Sequence, residues 1–107
     1  MSEMGSPSRA TVEARWETAQ ARRYMTQLCK HFAHRLPVTL NETDGQIVFD
    51  GGTCDVVADE QALRMRITAP DEQQLPQLQS VVIRHLQRFA FRDLTEEAAA
   101  QLPWTRV

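Results

Sequence analysis

Two short stretches hold most of the side chains that could do chemistry: CKHFAHR, from Cys29 to Arg35, and RHLQRFAFR, from Arg84 to Arg92. The chain has 3 histidines and 2 cysteines, and imidazole with thiolate suits zinc or iron. His31 and His34 stand three apart, so on a helix they project from neighbouring faces. His85 lies in the second stretch and Cys54 on an expected strand. His31, His34, His85 and Cys54 are therefore the candidate metal ligands, for zinc or iron. The helical wheel constrains that site. His34 falls almost opposite its helix's apolar stripe, His31 on the stripe's flank, and His85 inside a stripe of its own. One ion would need the two helices to meet along their flanks, and no CxxC or HExxH spacing supports it. The other reading expects no cofactor, with His85 a hydrogen-bonded core residue, His31 at a helix–helix seam and His34 in water.

Both cysteines face inward, where a free thiol behaves as a small hydrophobe. Nucleophilic catalysis would need a thiol whose pKa is lowered by a nearby base. Cys54 with His85 is the one such pair to name. No glycine-rich loop runs into a helix to hold phosphate. Arg22, Arg23, Lys30, Arg35, Arg84, Arg88 and Arg92 gather around the expected helices. They read as a solvated face or as a local patch for an anionic partner, such as a carboxylate-rich ligand or a nucleotide. Arg35, Arg88 and Arg92 are the candidate ligand-binding residues.

The elements that position these residues follow from periodicity. Ala10 to Glu17 alternates, with Val12, Ala14 and Trp16 on one side, which predicts a half-buried strand. Thr18 is the expected N-cap of a helix carrying Met25, Leu28, Cys29, Phe32 and Leu36 on one stripe and ending at Pro37. Four short strands follow. Their inward residues are Val38 and Leu40, then Ile47 and Phe49, then Cys54, Val56 and Ala58, then Leu63, Met65 and Ile67. Asp44-Gly45, Gly51-Gly52 and Asp59 to Gln61 are the expected turns. Asp71 with Gln74 resembles a capping box. The second helix then starts near Leu75, or has an irregular first turn because of Pro76. It carries Leu75, Leu78, Val82, His85, Leu86 and Phe89 on its stripe and runs to about Phe91. Leu94 to Leu102 predicts a short helix capped by Thr95, and Trp104 should fold back on the body.

This order gives an α+β two-layer sandwich, β-α-β-β-β-β-α, with five antiparallel strands and both long helices on one face. One domain over residues 10–107 behind a disordered tail, residues 1–9, accounts for the 107 residues. Net charge is −2 and no apolar run is long enough for a membrane span, so neither nucleic acid nor membrane is an expected partner. The opening MSEMGSPSR has no hydrophobic core, which predicts no secretory signal and thiols in a reducing cytoplasm.

The residues CKHFAHR, GGTC (Gly51 to Cys54) and RHLQRFAFR resemble the bacterial family catalogued as domain of unknown function 2218, in order and spacing, from about Ala10 to Arg106. Trp104 and Arg106 resemble the family's closing residues, whereas Pro76 is atypical. The resemblance implies a TATA-binding-protein-like sandwich and carries over no catalytic residues. It also implies a link to siderophore-interacting flavin reductases, which some relatives are joined to or encoded near.

Two functional readings stand. The first is a non-enzymatic accessory or interaction domain serving iron acquisition, with a siderophore-interacting reductase as partner. The second is a small metal- or ligand-binding protein using the histidines between the helices. The sheet's outer face, with Glu13, Arg15, Asp55, Val57, Arg64 and Arg66, is either a solvated set of charge pairs or a surface for another protein, a second copy included.

Overall fold

The computed structural model describes residues 9–107. The expected disordered tail, residues 1–9, lies outside them except for Arg9, which is exposed. Strand β1 spans Ala10–Glu17, helix α1 Ala21–Phe32, β2 Val38–Leu40, β3 Asp44–Phe49, β4 Gly52–Ala58 and β5 Ala62–Ala69. A 3₁₀ turn at Glu72–Gln74 leads into α2, Leu75–Ala90, followed by α3, Glu96–Ala100, and β6, Thr105–Arg106. Among the described residues the sheet has six strands in the order β2-β3-β4-β5-β1-β6. Every pairing is antiparallel.

Alternation builds this sheet. On β1, Ala10, Val12, Ala14 and Trp16 are buried, each next to a more exposed neighbour. Cys54, Val56 and Ala58 on β4, and Leu63, Met65 and Ile67 on β5, face the same way and are buried. The apolar stripes of α1 and α2 close over that face. α1 lies against β2 to β5, and α2 against β5 and β1. Met25, Leu28, Val82 and Leu86 are fully buried there, each contributing roughly 1.5–3 kcal/mol by leaving water. Trp16 stacks on Tyr24, and the Tyr24 hydroxyl donates to Asp93, tying α1 to the loop behind α2.

Several local expectations are corrected. Asp44-Gly45 is not the hairpin turn; both residues belong to β3, where Gly45 pairs with Leu40 and Val56. The turn is Asn41 to Thr43, closed by the Asn41 N–H donating to the Asp44 carbonyl at 2.8 Å. Gly45 serves packing instead, since a Cβ there would lie 2.9 Å from the Cys29 sulfur on α1. The second turn is Asp50-Gly51, one residue earlier than Gly51-Gly52, and Gly52 pairs with Phe49. Gly52 has a φ of 156°, and a Cβ would meet the Thr68 carbonyl oxygen at 2.2 Å. Thr18 does not cap α1; its hydroxyl accepts from the Gln20 N–H two residues on, before the helix begins.

Of the two starts expected for the second helix, the structure shows the one at Leu75, behind a separate 3₁₀ turn. Asp71 caps the 3₁₀ turn through the Gln73 and Gln74 N–H groups, and α2 starts at Leu75 with Pro76 in its first turn. Thr95 caps α3. β6 adds a strand beyond the five expected, with Thr105 and Arg106 pairing Glu13 and Val12 and Trp104 half-buried against the core.

Candidate functional site

α1 ends sooner than Pro37 would require. After Phe32, the N–H groups of Arg35 and Leu36 both donate to the Phe32 carbonyl, at 3.0 and 2.9 Å, and the chain turns out of the helix. Buried Cys29 and Phe32 anchor this end. His31 is left on the flank, and His34 and Arg35 lie exposed in the turn. On α2, buried Val82 and Leu86 fix the helix on the sheet. Val81, His85 and Arg88 follow at steps of four and three, on the flank beside α1.

These flanks enclose an open groove of about 510 Å³. Its floor is Phe32, Leu36, Phe49 and Val81, and its polar lining is His31, His34, Arg35, His85 and Arg88. The rings interlock. His31 and His85 have centroids 5.0 Å apart, Phe32 and His85 4.9 Å, His31 and Phe89 5.6 Å, and Phe32 and Phe49 5.1 Å. His85 Nδ1 lies 2.7 Å from the Val81 carbonyl oxygen. A carbonyl only accepts, so Nδ1 carries the hydrogen, and in the neutral ring Nε2 is free. Burial holds the His31 imidazole below the usual histidine range, and the neighbouring His85, Arg88, His34 and Arg35 lower it further.

Among the described residues, no carboxylate lines this groove. Its imidazoles and guanidinium groups surround an apolar floor. Such a site can take an anion whose body packs on Phe49 while its charge meets Arg35 or Arg88.

The structure divides the sequence candidates. His31, His34, His85, Arg35 and Arg88 come together; Arg92 and Cys54 do not. Arg92 is exposed beyond α2, with its guanidinium carbon 5.7 Å from the centre of the Phe91 ring. Cys54 is fully buried on the sheet, and burial drives its thiol pKa far up. Burial also pushes Cys29 up to about 11. Both thiols therefore stay protonated near neutral pH, and the Cys54–His85 pair fails as a nucleophile with its base. Among the described residues, no group of three or more His, Cys, Asp or Glu side chains could hold a metal ion. His85, expected in the core, is only half-buried and forms part of the groove wall. Sequence reasoning missed the floor. Phe49 and Leu36 matched the core pattern, but both sit at its edge, half-exposed.

On the opposite face of the sheet several polar groups pair with one another. Arg66 Nη2 lies 3.2 Å from Glu13 Oε2, Arg15 Nη1 lies 3.0 Å from Glu17 Oε2, and Gln46 donates to Asp55 at 2.9 Å. Val48 and Val57 are exposed between them.

The sequence profile of a family described as uncharacterized protein conserved in bacteria (DUF2218) matches residues 13–99. The chain is similar to the NMR structure of PA4090 from Pseudomonas aeruginosa, with 33% sequence identity and a TM-score of 0.65. That match covers 91% of this chain and 94% of the other. No curated protein matches the chain.

Proposed function

The chain belongs to the DUF2218 family of uncharacterized proteins conserved in bacteria, and we propose that its role is non-enzymatic binding of a small anion, a carboxylate or phosphate with an aromatic or apolar body. One observation carries this reading: the groove between α1 and α2 gathers three imidazoles and two guanidinium groups over an apolar floor, with no carboxylate in its lining among the described residues. The high thiol pKa values of Cys29 and Cys54 fit binding better than nucleophilic catalysis. Iron acquisition is the setting that the sequence resemblance suggests, and siderophore building blocks such as catechol carboxylates match the groove's chemistry. A protein partner, whether a siderophore-interacting reductase or a second copy, would meet the open face of the sheet at Val48 and Val57.

Calorimetry with benzoate and 2,3-dihydroxybenzoate tests the reading. Saturable binding is expected, weakened about tenfold in Arg88→Gln, as for loss of one charge-assisted hydrogen bond. Absence of binding, or an affinity unchanged by Arg88→Gln, would contradict it.

The His31 and His85 rings, 5.0 Å apart at their centroids, support a second reading, a two-imidazole zinc or iron site with His34 at its rim and without Cys54. Metal analysis of protein purified without a histidine tag tests it. Bound zinc or iron that disappears in His85→Gln is the supporting result, and metal-free wild type the opposing one.

A further inference from the structure

The groove does not stop at Val81. A recess of about 490 Å³ shares Leu36, Phe49 and Val81 with it and continues to Asp50, Gln74 and Gln77. The helix explains the continuity. Gln74, Gln77, Val81, His85 and Arg88 follow at steps of three and four residues, so one face of α2 and its N-cap paves the whole trough. At roughly 1.5 Å per residue, the rise from Gln77 to Arg88 is about 16 Å.

The chemistry changes along that length. At the α1 end are the histidines, Arg35 and Arg88; in the middle are only apolar side chains. At the far end stand the Asp50 carboxylate and two glutamine amides. Asp50 is exposed and makes no ion pair among the described residues. The Gln74 side chain is partly committed: its Nε2 reaches Asp71 at 3.5 Å, while its Oε1 lies against the Asp50-Gly51 turn. The groups offered at this end are therefore mainly acceptors, and one of them carries negative charge.

We propose that the trough takes a single elongated ligand, anionic at the end against Arg88 and bearing an amine or other strong donor at the end against Asp50. This rests on the reading of the groove as an anion site and adds the ligand's length and its second charge. A ligand with carboxylates at both ends is rejected by Asp50, because like charges at a recognition site discriminate. A ligand with a bare apolar tail leaves Asp50 and the glutamines facing hydrocarbon.

Dodecanoate and 12-aminododecanoate are the probes, since their extended chains approach the length of the trough and they differ only at the far end. Calorimetry compares them on wild type, Asp50→Asn and Arg88→Gln. Asp50 and Arg88 are both exposed, so circular dichroism should show all three proteins folded alike. The amino probe is expected to bind about fivefold more tightly than dodecanoate, the scale of one exposed ion pair. Asp50→Asn should abolish that advantage, bringing the two probes to equal affinity, and Arg88→Gln should weaken both probes. Equal affinities, or tighter binding of dodecanoate, would overturn the two-ended ligand and leave the anion site standing, provided that Arg88→Gln still weakens dodecanoate. If neither long probe binds while 2,3-dihydroxybenzoate does, the elongated ligand again fails alone. If none of them binds, both readings fall.

Discussion

On the open face of the sheet, Arg66 lies between Glu13 and Asp55 on the adjacent strands and bonds Glu13. On the helix side, Arg88 lines a groove with His31, His34, Arg35 and His85, and none of these makes a salt bridge among the described residues. The two arginines differ in what surrounds them. The first is answered by its own fold. The second stands among cations, and its charge helps to hold the His31 imidazole neutral. A cation already paired within the sheet needs no anion from outside. A groove that collects like charges holds them at a small cost in stability, and a bound anion removes that cost.

The largest effect is expected where the groove's wall meets the sheet. Gly52 touches both layers: an added Cβ would lie 2.2 Å from the Thr68 carbonyl oxygen and 2.9 Å from Leu78 on α2. Its φ of 156° is also unfavourable for any other residue. Gly52→Ala should therefore lower stability by about 3 kcal/mol, read from the urea midpoint. A loss below about 1 kcal/mol would mean that α2 rides more loosely on the sheet than the trough requires.

Next comes the direct contrast of the arginines. Arg66→Gln removes a cross-strand partner and should cost about 0.5–1 kcal/mol, less in high salt. Arg88→Gln should cost nothing or raise the melting temperature slightly, since it relieves repulsion. Equal losses from both would erase the distinction between the faces.

The smallest effect is on pH dependence. The folded chain holds His31 below its ordinary pKa, so in that window the unfolded chain binds more protons. Stability should then fall as pH drops through about 6.5 toward the folded value, and be fully retained above it. His31→Gln should flatten this slope in thermal melts taken across that range.

How much was legible follows from what each signal measures. The alternation of Val12, Ala14 and Trp16, or of Leu63, Met65 and Ile67, reports a sheet with one buried face, and the sheet is built that way. The stripes of α1 and α2 report the same face from the other side. Turn chemistry was less reliable. Asp44-Gly45 has the composition of a hairpin turn, but the space beneath Cys29 demands a residue without a Cβ, and packing decides the role of Gly45. β6 was illegible because two residues after Pro103 carry no period. The groove was half legible. The histidines and arginines were visible as chemistry, and the helix flanks as their meeting place. Phe49 and Leu36 were not visible as floor, since periodicity marks a side chain as inward but does not show where the covering layer ends. Cys54 erred in the opposite direction: its chemistry suggested a ligand beside the histidines, and it lies in the core, outside the groove's lining.

Anion binding in the groove can be read from the His31 ring proton by NMR through a pH titration, without and with saturating 2,3-dihydroxybenzoate. Without the probe, His31 should titrate below the ordinary histidine value of about 6.5. With it, the titration should move upward, because an anion among these cations favours the imidazolium, and binding should tighten as pH falls. A His31 that titrates at or above the ordinary value, and does not move when the probe is added, would contradict the account.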